Sequence, residues 1–125
     1  MTLTGKSVLI VDDDPDILNA MRIAFTESGA EVSTAPDGDA AVREATSSNP
    51  DLVVLDAMLP KRSGFLVMDQ LKSPSIQNHP RVIMITGNAG KRHQDWAESR
   101  GVDDYIPKPF RMERLVQSAE KLLSG

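Results

Sequence analysis

The sequence predicts an α/β fold, a doubly wound parallel sheet built from five β-α units. Short runs rich in Val, Ile and Leu alternate with segments of helical apolar spacing, and three of the runs are almost wholly apolar, as strands buried on both faces are. No internal repeat, low-complexity stretch or linker interrupts the alternation. A chain of 125 residues is sized for one domain, 1–125, and removes about two thirds of its unfolded surface from water.

The first strand is Lys6 to Val11. Pro15, suited to a first helical turn, opens a helix with apolar positions Ile17, Leu18, Met21, Ala24 and Phe25, and Gly29 stands where that helix should stop. Glu31 to Ala35 is the second strand, followed by a helix carrying Ala41, Val42 and Ala45. Asn49-Pro50 breaks into the third strand, Leu52 to Leu55, and Phe65, Met68 and Leu71 mark the next helix. Val82 to Ile85 is the fourth strand. The segment 90–100 is poor in aliphatics, with Lys91, Arg92, His93, Asp95, Glu98 and Arg100, and predicts a short helix stopped by Gly101. Tyr105-Ile106 is a brief fifth strand, and Leu115, Val116, Ala119, Leu122 and Leu123 line the last helix.

Composition removes several classes of function. The chain has no cysteine, so disulfides, thiolate metal sites and Cys nucleophiles are excluded. A net charge of -4 argues against direct nucleic acid binding through phosphate neutralisation. No apolar run approaches the roughly 20 residues of a membrane span, and the N-terminus lacks a secretory layout, so the expected location is cytoplasmic, away from the membrane. Charge is uneven: residues 1–60 hold three Lys/Arg against eleven Asp/Glu, and residues 61–125 hold eleven against seven. That split predicts an acidic site on one side and a more basic surface elsewhere.

In parallel sheets of this kind ligands bind at the carboxyl ends of the strands. There the sequence places Asp12-Asp13-Asp14, Asp56, Thr86 and Lys108. Any one of them alone reads equally well as a turn or cap residue, and Asp14 and Asp16 are assigned to the first helix N-terminus. Three carboxylates in one crevice, however, repel unless a cation lies among them. Oxygen-only ligands favour a hard ion, Mg²⁺ before Zn²⁺. Metal, hydroxyl and ammonium together suit a phosphoryl group, which a carboxylate can carry as an aspartyl phosphate. Asp56 is the expected nucleophile, since Asp12 and Asp13 form a pair suited to metal.

With the strings VLIVDDDP (8–15), DLVVLDAMLPKRSG (51–64), VIMITG (82–87) and DDYIPKPF (103–110), the sequence resembles the receiver domain of bacterial two-component response regulators, of the chemotaxis-regulator-like kind. The resemblance implies a flavodoxin-like sheet of strand order 2-1-3-4-5. It also implies Mg²⁺ at Asp12, Asp13, Asp56 and the backbone carbonyl of Met58, with Asp12 acting mainly through bound water. Asp56 becomes the phosphoacceptor, Thr86 and Tyr105 the switch pair, and Lys108 the contact to phosphoryl oxygens, with a cis bond expected at Lys108-Pro109. The implied partners are a histidine kinase or histidine phosphotransfer protein. An output domain, target protein or second copy of the chain is expected on the face formed by 90–100, the fifth strand and the last helix. Lys91, Arg92, Arg100, Arg111 and Arg114 supply positive charge there. Such a chain is a phosphoacceptor switch and not an enzyme. Gly87 stands where many relatives have Ala, which keeps the small volume.

The main rival is a Mg²⁺-dependent aspartyl-phosphate phosphatase of the haloacid dehalogenase type. Against it, Asp103-Asp104 precede Lys108 instead of following it, and 125 residues leave little room for a substrate cap. A flavodoxin-like electron carrier would need a hydroxyl-rich loop after the first strand. Gly5-Lys6-Ser7 precedes a strand and is no P-loop. His79 and His93 lack metal-ligand spacing, the methionines read as core, and Trp96 is expected to be partly buried.

Overall fold

The computed structural model describes residues 3–57, 64–73, 79–87, 95, 98–99 and 101–124. The strands are β1 (Ser7–Val11), β2 (Glu31–Ala35), β3 (Leu52–Asp56), β4 (Arg81–Thr86) and β5 (Asp104–Pro107). The long helices are α1 (Pro15–Glu27), α2 (Gly38–Ser48), α3 (Gly64–Leu71) and α4 (Met112–Leu123). In the expected helix at 90–100, Asp95, Glu98 and Ser99 are helical. Lys91, Arg92, His93, Trp96, Arg100 and Met58 lie outside the described residues.

All pairings are parallel and the order is β2-β1-β3-β4-β5, as expected. Two-residue periodicity divides the strands between two cores. Leu9, Val11, Val53, Leu55, Val82, Met84 and Tyr105 face α2 and α3, where Ala41, Ala45, Val67, Met68 and Leu71 cover them. Val8, Ile10, Leu52, Val54, Ile83, Ile85 and Ile106 face α1 and α4, covered by Met21, Phe25, Leu115 and Ala119. The central strands β1 and β3 are buried on both sides, which explains why they read as unbroken apolar runs.

The ends of the helices follow from their sequence. Asp14 caps α1 by accepting from the Asp16 and Ile17 N–H groups, ahead of Pro15. Asp37 caps α2 in the same manner, through Ala40 N–H at 2.9 Å. α2 stops at Asn49, which adopts a left-handed φ of 47° before Pro50. α4 is tied to β5 by the Asp104 carboxylate, which accepts from the Ser118 hydroxyl and pairs with Arg114 at 3.3 Å. Burial alone would raise the pKa of Asp104, but Ser118, the Tyr105 N–H and Arg114 outweigh it and hold the carboxyl below its ordinary value.

Gly29 follows α1 with φ 96°, and a Cβ there would stand 2.6 Å from Thr4 Oγ1 and 3.2 Å from Thr4 N. Both the backbone conformation and the close approach of Thr4 therefore require glycine. Gly87 has no described atom within 4 Å of its Cβ position. Gly29→Ala is expected to destabilise the fold by about 2 kcal/mol, while Gly87→Ala stays within about 0.5 kcal/mol of wild type. Urea unfolding of both variants checks this, and equal midpoints would refute it.

Candidate functional site

Parallel register brings the acidic residues together. β1 pairs with β3 so that Val11 lies beside Leu55, and the next residue on each strand is Asp12 and Asp56. Both carboxylates are buried, at 1% and 4% exposure, while Asp13 is exposed. One carboxylate oxygen from each of Asp12, Asp13 and Asp56 lies within 4.8 Å of the others.

Lys108 reaches this group from the far side of β4. Its backbone N–H donates to the Thr86 carbonyl at 2.7 Å, which extends the β4-β5 ladder past Pro107. Its ammonium then lies 3.3 Å from Asp56 Oδ2 and 3.8 Å from Asp12 Oδ2. The Lys108-Pro109 bond that follows is cis. Asp12 Oδ1 accepts the Asp14 N–H at 2.9 Å. Asp12 Oδ2 is buried and accepts no hydrogen bond among the described residues.

Burial raises the pKa of Asp12, and the neighbouring Asp56 and Asp13 charges raise it further. The Asp14 N–H and Lys108 oppose the shift without cancelling it. Among the described residues a single ammonium faces three carboxylates, and the clustered donors are oxygen only. A buried oxygen lacking a hydrogen bond, within a cluster of three carboxylates, fits a hard divalent cation such as Mg²⁺.

Thr86 ends β4 and is 2% exposed. It continues the period of Val82 and Met84, on the α2 and α3 side. Tyr105 is on the same face: it pairs with Met84, two register steps before the Thr86–Pro107 pair. Its side chain is turned inward, packed with Val82, Met84 and Val102 at 8% exposure. The crevice thus gathers Asp12, Asp13, Asp56 and Lys108, with Thr86 at the adjoining strand end.

Sequence reasoning did not single out Ser118 or its bond to Asp104. The available signal is a hydroxyl interrupting the apolar stripe of Leu115, Ala119 and Leu122. Arg114, expected to be a surface cation, is exposed and also pairs with Asp104 at 3.3 Å.

Fold and crevice together define a parallel α/β domain with an acidic, oxygen-only site at the carboxyl ends of its strands. The chain belongs to the response regulator receiver domain family, whose model matches residues 8–120. It is 36% identical over 121 residues to the transcriptional regulatory protein PrrA of Mycobacterium bovis, covering 97% of this chain and 51% of that protein. It is 37% identical over 119 residues to the alkaline phosphatase synthesis transcriptional regulatory protein PhoP of Bacillus subtilis, covering 95% of this chain and 49% of that protein. The chain spans about half the length of these curated relatives. Among solved structures, the receiver domain of the Francisella response regulator 1452 superposes with a TM-score of 0.87 at 28% identity, covering 94% of this chain and 96% of that one. The family is one of two-component signalling switches, and the haloacid dehalogenase reading finds no support in these likenesses.

Because the folded Asp12 pKa lies above its unfolded value of 3.8, the folded chain holds its proton more tightly. Stability of the metal-free protein then falls as pH rises from the ordinary carboxylate range through the raised folded value. Asp12→Asn is expected to stabilise the metal-free protein at neutral pH by about 1 kcal/mol, with the gain shrinking toward about pH 4. Thermal melts in chelator across this range check the sign. A variant less stable than wild type at neutral pH would show that the Lys108 attraction dominates instead.

Proposed function

We propose that this chain is a phosphoacceptor switch, one receiver domain that takes a phosphoryl group from the phosphohistidine of a histidine kinase or histidine phosphotransfer protein. An Asp56 carboxylate oxygen attacks phosphorus as the P–N bond breaks, and the P–N electron pair goes to the ring nitrogen, releasing neutral imidazole from a phosphohistidine whose other nitrogen carries a proton. Water later hydrolyses the acyl phosphate, returning the carboxylate and inorganic phosphate. The observation that carries this reading is the position of Asp56: buried at the end of β3, with the Lys108 ammonium 3.3 Å from Oδ2. Lys108 is placed to follow charge onto the phosphoryl oxygens.

Asp12, Asp13 and Asp56 would hold Mg²⁺, which when bound neutralises negative charge on those oxygens. The Met58 carbonyl, expected as a further ligand, lies outside the described residues. Thr86 offers a hydroxyl toward the new acceptor oxygens, and any displacement behind β4 falls on the face it shares with Tyr105. An inward and an outward Tyr105 need differ by only a few kcal/mol for phosphorylation to shift the population. Output through β5, α4 and the preceding segment, to an output domain, a target or a second copy of the chain, is part of the same proposal. Arg111 is exposed on that side. The lack of any described helix long and apolar enough to cross a membrane is compatible with action in the cytoplasm.

Acetyl phosphate with Mg²⁺ is expected to add about 80 Da to the wild type and nothing to Asp56→Asn, in the manner of a carboxylate nucleophile. Mass spectrometry with and without chelator checks both requirements. An equal base-labile adduct on the variant would remove Asp56 from the role. Beryllofluoride, standing in for the phosphoryl group, should shift the amide resonances of Thr86, Tyr105 and α4. Changes confined to the crevice would refute the switch.

A further inference from the structure

Asp14 is exposed, and capping α1 accounts for it fully at first sight. Its backbone and side chain, however, join two hydrogen-bonded turns in series. Its own N–H donates to Asp12 Oδ1 at 2.9 Å, while its Oδ1 accepts from the Asp16 N–H at 2.9 Å and the Ile17 N–H at 3.4 Å. The cap fixes the residue at φ -86° and ψ 112°, and Pro15 next in the chain disfavours a helical backbone at that position. The direction of the Asp14 N–H is therefore set from both sides.

That direction decides how the Asp12 carboxylate is turned. With Oδ1 held by the Asp14 N–H, Oδ2 is left facing the crevice, 3.8 Å from the Lys108 ammonium and accepting no hydrogen bond among the described residues. Asp12 is 1% exposed, so solvent cannot hold the carboxylate in this orientation. We propose that Asp14 is a positioning residue for cation binding, its side-chain cap on α1 orienting the Asp12 carboxylate through the Asp14 N–H. The inference rests on the Mg²⁺ reading above. It assigns to Asp14 neither contact with the cation nor a need for its own negative charge. Loss of groups that orient metal ligands typically weakens affinity by about 10–100-fold. Here the Asp14 N–H survives substitution and only its restraint is lost, so an effect at the lower end, about fivefold to tenfold, is expected.

Isothermal titration of the intact chain with MgCl₂ tests this on Asp14→Ala, Asp14→Ser and Asp14→Asn. Asp37→Ala serves as a control that removes the equivalent cap from α2. The proposal expects Asp14→Ala to bind Mg²⁺ about fivefold to tenfold more weakly, with Ser and Asn, both N-cap acceptors without charge, within about twofold of wild type. Asp37→Ala should keep wild-type affinity. Undiminished affinity in Asp14→Ala overturns the proposal. Equal losses in Ala, Ser and Asn also overturn it, because charge and not capping would then be responsible. A matching loss in Asp37→Ala would reduce the effect to general destabilisation and overturn it too. Wild type that binds no Mg²⁺ would overturn the metal reading itself, a result distinct from each of these.

Discussion

One ammonium group holds the crevice together. Lys108 sits 3.3 Å from Asp56 and 3.8 Å from Asp12, two carboxylates that the β1-β3 register forces side by side at low exposure. Removing one partner from a buried ion pair leaves a charge without compensation, at a cost on the order of 3–5 kcal/mol. The partly exposed lysine lessens that figure here, since solvent reaches its side chain. Even so, the arrangement is tolerable only because β5 lies in register with β4 and delivers Lys108 beyond the Thr86 carbonyl. Among the described residues one positive charge stands among three negative ones, an imbalance that a bound cation would relieve.

The sheet places Asp12, Asp56 and Lys108 on one parity and the Thr86–Tyr105 pair on the other. Asp12 and Asp56 continue the parity of Ile10 and Val54 toward the α1 and α4 side, and Lys108 continues that of Ile106. Thr86 and Tyr105 belong to the opposite parity, toward α2 and α3. Under the proposed switch, chemistry at the strand ends would be read on the other face through β4, the strand that carries Thr86 and pairs with Tyr105. α4 is tied to the same β5 strand by the hydrogen bonds that Asp104 accepts from Ser118 and Arg114, as well as by packing.

The five strands were legible because parallel strands covered on both faces leave a distinctive apolar run, and β1, β3 and β4 carry one each. β5 was legible mainly from Tyr105-Ile106, and its observed extent, Asp104–Pro107, includes residues whose polarity hides the strand. Asp14 and Asp16 were correctly read as belonging to the start of α1, since a carboxylate before Pro at a helix start has few other local uses. That Asp14 also turns the Asp12 carboxylate could not be read there, because a side-chain rotamer is a property of the folded turn. Arg114 was read as a surface cation, which its exposure bears out, but its pairing with Asp104, ten residues away on another element, was not legible.

By itself the sequence determined the alternation of elements, the two-sided burial of the sheet, and the set of polar residues that end its strands. These follow from local periodicity and chemistry, which are written residue by residue. Tertiary structure decided which of those residues meet. Asp12 and Asp56 are 44 positions apart, and Asp56 and Lys108 are 52. Only the β2-β1-β3-β4-β5 order and its register make them neighbours. Tertiary structure also raises the pKa of Asp12, since burial and neighbouring charges exist only once the strands are paired.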